Sequence, residues 1–248
     1  MSIDNLLNGR LKFHVGSELE KYRVSTLFTK EPETIAWIDS WAPTEAPIFF
    51  DIGANIGIYS LYAAAKHENL KVFAFEPEQK NYIALCSNVL LNSFSGVNSF
   101  RVALSNNQCL VDLFVDDFRI GNSNAQINLQ SLQIEDESSA VRIEKVLSIS
   151  LDFLIESMDF PSPHYIKIDV DGHEAAILNG AANLLKKESL LSVLVEFNHQ
   201  QQLEEWKPIF QRDGLYLDTT FDSIEGHSSL RRAEKGSSMR NVIFSRKS

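Results

Sequence analysis

Apolar residues in this chain fall into short continuous runs separated by stretches of helical spacing, the alternation expected of a parallel sheet with crossover helices. Ile48, Phe49 and Phe50 form the first such run. Residues 58–66 have helical composition, and 72–75 form a second buried strand ending at Glu76. Between the first strand and the helix lies Asp51-Ile-Gly-Ala-Asn-Ile-Gly57, where Gly53 and Gly57 allow a sharp turn and close backbone approach. The whole is one βαβ unit with a right-handed crossover.

The same pattern continues downstream. Residues 82–91 carry Ile83, Leu85, Cys86, Val89 and Leu90 at helical spacing, with Asn88 and Asn92 on one face. Residues 97–104 read as a third strand closed by Ser105-Asn106-Asn107, and 108–115 as a further strand. Residues 143–149 return to strand character, and 151–158 form a short helix with Ser150 as N-cap. The fourth strand is 163–169, and a helix over 174–187 follows it. Residues 190–197 form a fully buried fifth strand, and 201–212 a helix that Pro208 would kink or shorten. Residues 216–219 and 241–244 can pair as the last strands.

Two segments depart from this rhythm. The first 47 residues are a preface to the domain at 48–248, with short strands expected at 11–15 and 22–27. A helix follows Pro32 through Thr34, Ile35, Trp37, Ile38 and Trp41, its apolar face turned to the core. Residues 116–142 are polar and without firm periodicity, and a stretch this long inside a domain suits a substrate-side lid or a surface excursion.

Composition narrows the class of partner. The chain has 248 residues, 44% hydrophobic and 23% charged, enough for one α/β domain with a proper core. With 23 basic and 33 acidic residues it carries a net charge of −10, which argues against a dedicated nucleic-acid binder. Arg231, Arg232 and Lys235 are the nearest thing to a basic patch. Cys86 and Cys109 lack metal-site spacing, so neither a disulfide framework nor a cysteine-rich zinc site is expected. No apolar stretch reaches bilayer length, and the cytoplasm is the expected location.

Ligand chemistry follows from the turn. A dinucleotide site would have glycine where Asp51 stands, and a carboxylate there repels a pyrophosphate. It suits a cationic ligand without phosphate, such as S-adenosylmethionine, with Glu76 accepting the ribose diol. The polar residues at strand ends, namely Asp51, Glu76, Ser105, Asp169 with Asp171, and Glu196 with Asn198, would gather at one edge of the sheet. In Asp169-Val-Asp171-Gly-His173-Glu174, Asp169 or His173 could accept a proton. Alternatively, Asp169 and Asp171 could hold a divalent metal near Asn198, or the cluster could simply shape a turn. Lys167, inside a buried strand, needs a carboxylate partner, and Glu196 on the next strand is the expected one.

The residues FFDIGANIGIYSLYAA, VFAFEPE, the Asn88/Asn92 pair, YIKIDVDGHEAAILNGA, VLVEFN, NVIF and the early KEPET together resemble the FkbM family of S-adenosylmethionine-dependent methyltransferases. The resemblance runs from about residue 31 to 244. It implies a Rossmann-like α/β fold with a seven-stranded, mostly parallel sheet, its last strand antiparallel, and helices on both faces. It implies O-methylation of a sugar, glycan or polyketide-type hydroxyl. By similarity, Asp51, Gly53, Asn55, Gly57 and Glu76 contact the cofactor and Asp169 lies near its methyl group. Beside them, Pro77, Ser105 and Asp169 are counted as cofactor residues from their places at strand ends, and Asp169, His173 and Asp171 are the catalytic candidates. No metal is called for. Rivals are an NAD-dependent oxidoreductase, disfavoured by Asp51, and a scaffold protein that has lost turnover.

Overall fold

A computed structural model describes residues 2–42, 45–115, 119–121, 125–127, 142–170, 172–234 and 240–247. The opening segment holds strands β1 (Ser2–Leu6) and β2 (Leu11–Val15), then helices α1 (Glu18–Ser25) and α2 (Pro32–Asp39). The first βαβ unit is β3 (Ile48–Ile52), α3 (Ile58–Lys66) and β4 (Lys71–Phe75), continued by α4 (Gln79–Asn92) and β5 (Val97–Phe100). A second small sheet comes from β6 (Ala103–Leu104), β7 (Cys109–Val115), β8 (Ala125–Ile127) and β9 (Arg142–Ile149). Then follow α5 (Leu151–Ser157), β10 (Tyr165–Ile168), α6 (Glu174–Asn179), β11 (Ser192–Phe197) and α7 (Gln200–Arg212). The chain closes with β12 (Leu215–Leu217), α8 (Ser228–Glu234) and β13 (Arg240–Arg246).

The main sheet has seven strands in the order β12-β13-β11-β10-β3-β4-β5. β11, β10, β3, β4 and β5 pair in parallel, while β13 runs antiparallel to both of its neighbours. Alternation along β3 sends Phe49 into one core and Phe50 into the other. α2, α3 and α4 cover the first face through Trp37, Leu61 and Leu85, joined by Leu11 and Phe13 of β2. α5, α6 and α7 cover the second through Leu154, Ile177 and Trp206. Each sheet face is thus buried, which is why these strands read as continuous apolar runs.

Three side chains make the long-range ties that fix the opening segment. Asn92 grips Lys12 of β2 on both sides, accepting its N–H at 2.8 Å and donating to its carbonyl at 2.7 Å. Asn88 accepts the His14 N–H at 2.8 Å and donates to the Ile56 carbonyl at 2.9 Å. Glu33 of α2 accepts from the Ser228 N–H at 3.1 Å, from the Ser228 hydroxyl, and from Asn241 Nδ2 at 2.9 Å.

Several expectations need correction. Residues 22–27 are not a strand but lie largely in α1, whose start is set by Ser17 accepting the Glu20 N–H at 3.1 Å. The stretch 97–104 is two strands, because β5 pairs with β4 while β6 leaves the main sheet to pair with β9. The helix expected over 174–187 ends at Asn179, where Gly180 packs against the Ser105 carbonyl. A Cβ on Gly180 would stand 2.1 Å from that oxygen. A short 3₁₀ turn, Leu184–Lys186, follows. Pro208 stays inside α7 without ending it. β1 and α8 had no distinct signal in the pattern. Within 116–142, the described residues are 119–121, β8 and the first residue of β9, and the rest of that segment, like Asp171 and Lys235, lies outside the described residues.

Candidate active site

Strand order reverses between β3 and β10, whose carboxyl ends are Ile52 and Ile168. In open α/β sheets the crevice at such a point is where ligands bind. Here Gly53 and Asp169 meet across it. Gly53 has φ +81°, and a Cβ on it would stand 2.0 Å from the Asp169 carbonyl oxygen, so only glycine fits.

An open cavity of about 190 Å³ lies along this edge. Gly53, Asn55, Glu76, Pro77, Asp169, His173 and Glu196 line it, with Val102, Leu104, Leu113 and Ile127 supplying apolar wall near Pro77. Arg23 and Lys30 from the opening segment and Arg232 from α8 complete it. The structure therefore brings together Gly53, Asn55, Glu76, Pro77, Asp169 and His173 of the residues singled out from sequence. Asp51, Gly57 and Ser105 stand behind the wall. Asp51 is buried and accepts the Ser60 hydroxyl at 2.5 Å. Gly57 packs on Leu85, and Ser105 bonds His173 Nε2 at 2.9 Å. Asn198 does not line the cavity either, and holds Glu174 at 3.4 Å. Among the described residues no group of three His, Cys, Asp or Glu side chains is disposed to hold a metal ion.

The turn from Gly53 to Gly57 satisfies all of its own amides. Gly53 and Ala54 donate to the Phe75 carbonyl at 3.0 Å each, and Asn55 donates to Glu76 Oε2 at 2.8 Å. Ile56 donates to Asn55 Oδ1 at 3.0 Å and Gly57 to the Ala54 carbonyl at 2.8 Å. A pyrophosphate site works by presenting free N–H groups from such a turn. This one has none to present, so the residues fit a nucleoside ligand without phosphate better than a dinucleotide. Glu76 is held by the N–H of Asn55 on one oxygen and that of Glu78, at 2.9 Å, on the other, which fixes its carboxyl at the strand end. Burial pushes it up to about 7, against those two donors.

The other end of the cavity is densely charged. Lys167 is fully buried and reaches Asp169 Oδ2 at 2.6 Å, correcting the expected pairing with Glu196. Lys167 lies opposite Asp51 on β3 and Leu194 on β11. Burial would raise the Asp169 carboxyl, but Lys167, with Lys30 and Arg232, together outweigh it and hold the group well below the usual carboxylate range. Glu196 instead pairs with Arg232 at 2.5 Å, and Arg232 also approaches buried Glu31 at 3.4 Å. Burial, then the Asp169 charge, push Glu196 up to about 8 despite that guanidinium. Arg232 is thus turned inward rather than forming a surface basic patch. Burial lowers His173, favouring its neutral ring. Lys30 and Glu31 lie in the KEPET motif and Arg232 in the basic pair at 231–232, but neither motif was assigned a place in the site.

The family model for the methyltransferase FkbM domain matches residues 51–230. Methyltransferase sdnD of Sordaria araneosa is 28% identical over 193 residues, spanning 69% of this chain and 73% of that protein. The hexuronic acid methyltransferase AglP of Haloferax volcanii is 29% identical over 154 residues, 62% of this chain and 57% of its own length. Among solved structures, the METTL16 methyltransferase domain aligns with a TM-score of 0.50 at 12% identity, covering 99% of this chain and 87% of that one. A SAM-dependent methyltransferase from Agrobacterium tumefaciens gives 0.50 at 10% identity, covering 99% and 70%. These structural likenesses bear on the fold alone, and agree with the α/β architecture described above. With a family match over most of its length, a phosphate-averse turn and a fixed acid at the second strand end, the chain belongs to the FkbM family of S-adenosylmethionine-dependent methyltransferases.

Proposed function

We propose that the protein transfers a methyl group to a hydroxyl oxygen of a small-molecule acceptor, a sugar, glycan or polyketide-type alcohol. The observation that carries this reading is His173. It lines the same cavity as Glu76, and burial favours its neutral ring, able to take a proton from an alcohol. Asp169, held ionised by Lys167, is a weak proton acceptor and is better suited to electrostatic and positional work. The names of two relatives support an oxygen acceptor on a sugar or macrolide: the hexuronic acid methyltransferase AglP, and the 31-O-demethyl-FK506 methyltransferase FkbM of Streptomyces tacrolimicus, 39% identical over 49 residues.

Bound S-adenosylmethionine supplies an electrophilic methyl group on a sulfonium. The protein's part is to hold the nucleoside with Glu76 and the apolar wall by Pro77, exclude water with Leu113 and Ile127, and align the acceptor oxygen beside His173. Holding both partners in line supplies much of the acceleration. Ser105 fixes the imidazole through Nε2, so the proton leaves on a ring already oriented.

The test is incubation with S-adenosylmethionine labelled in its methyl carbon and a panel of uronic acid glycosides, neutral sugars and macrolide alcohols. Product NMR should show a methoxy signal. Label arriving on nitrogen or carbon, or on no alcohol in the panel, would overturn the oxygen-acceptor reading.

A further inference from the structure

A second, smaller cavity of about 30 Å³ lies beside the first and shares Arg23, Lys30, Gly53, Asn55 and Asp169 with it. Tyr59 and Lys167 form its inner wall. Any ligand that runs from Glu76 past Gly53 would place its far end here. For S-adenosylmethionine that end is an amino acid, whose carboxylate needs hydrogen-bond donors and positive charge.

The turn cannot supply the donors, since the amides of residues 53–57 are all engaged internally. Among the described residues, three of the four cations lining the two cavities are also committed. Lys167 is buried on Asp169, Arg232 is held by Glu196 and Glu31, and Arg23 donates through Nε to the Gly121 carbonyl. Lys30 differs. It is about a third exposed, contacts only Glu31 at 2.9 Å among the described residues, and walls both cavities. An ammonium carries three N–H donors, so two remain for a ligand.

We infer that Lys30, in the opening segment before the sheet begins, binds the α-carboxylate of the cofactor's amino-acid end in the smaller cavity. Arg23 stands beside it as a second positive charge. The opening segment is then part of the cofactor site and not only a cover for the sheet. The inference rests on the cofactor assignment made above and deepens it by naming which end of the ligand faces which segment.

Calorimetric titration with two ligands separates the inference from the assignment it rests on. S-adenosylhomocysteine carries the amino-acid end, and 5′-methylthioadenosine is the same nucleoside thioether without it. Wild-type protein should bind S-adenosylhomocysteine more tightly. Lys30→Met should weaken S-adenosylhomocysteine by about 10-fold or more, the worth of a charge-assisted hydrogen bond, while leaving 5′-methylthioadenosine unchanged. Lys30→Arg should keep most of the affinity. Equal weakening of both ligands, or no change in either, overturns the role of Lys30. If wild-type protein binds neither, the cofactor assignment fails and takes the inference with it.

Discussion

Gly53 and Asp169 approach each other so closely at the sheet's switch point that no side chain fits on the glycine. Gly53→Ala should therefore cost more than backbone strain alone. Gly9 is the control, because it has φ +83° but no atom within 4 Å of the place an added methyl would take. Urea unfolding should show Gly9→Ala destabilised by about 1–2 kcal/mol, the cost of a left-handed non-glycine residue. Gly53→Ala should lose more than that, with S-adenosylhomocysteine binding abolished. Equal losses in the two variants would mean that the contact with Asp169 relaxes freely.

Asn88 and Asn92 offer a second contrast. Asn88 is buried and ties the His14 amide to the Ile56 carbonyl, and Ile56 belongs to the cofactor turn. Asn92 ties Lys12 and does not touch the turn. Asn88→Ala should destabilise by about 2–4 kcal/mol, since one buried and one part-buried backbone group lose partners. It should also weaken S-adenosylhomocysteine. Asn92→Ala should lower stability by less and leave affinity as it was, with both read by unfolding and calorimetry on the same preparations.

The acidic core should make the ligand-free protein less stable as pH rises. Glu76 and Glu174, at about 7, and Glu196, at about 8, all sit above the usual carboxyl value because burial disfavours their charge. The folded state therefore holds protons that the unfolded chain has released. The contribution of these three groups is fully present below the ordinary carboxyl pKa and is lost as pH climbs through the folded values, whereas Asp169 and Glu31, both held low, lose theirs only in acid. His164 and His173, both lowered by burial, act in the opposite sense, but only below the ordinary imidazole value of about 6.5. Between about pH 6.5 and 8.5 the carboxyls dominate, and the melting temperature should fall. A rise across that window would contradict the assignment.

His173 should leave a kinetic signature on any accepted alcohol. His173→Ala should reduce kcat by about 10²–10³-fold while S-adenosylhomocysteine affinity stays within a few-fold. In wild-type protein the rate should be flat near neutrality and drop on the acid side below about 6.5. Survival of full turnover in the variant would remove His173 from proton transfer.

Much of this site was readable in order along the chain because it is local. The turn from Asp51 to Gly57 and the acid at Glu76 belong to one βαβ unit, and α3 spans Ile58–Lys66 as its composition suggests. What was not readable comes from tertiary meeting. Lys167 pairs with Asp169, and Glu196 is taken by Arg232 from α8, a meeting that one sequence does not show. Lys30 and Glu31 reach the cavity from one end of the chain and Arg232 from the other, and no spacing rule connects them. The helix after His173 stopped early because Ser105, on a different segment, occupies the space beyond Gly180. Asp51 was read as a ligand contact from its position in the motif, whereas its side chain turns back to Ser60.

Glu33 holds Ser228 and Asn241, and β13 sits between β12 and β11. Early and late segments of the polypeptide are thus stitched together through Glu33, and again where Arg232 approaches Glu31. An expression fragment trimmed to the recognisable span of 51–230 would discard Glu33, β2 and β13 at once. It would leave β12 without the neighbour that joins it to the sheet and bare the apolar surface that Leu11, Phe13 and Trp37 cover. Such a fragment should aggregate, and a working truncation of this protein has to keep both flanks.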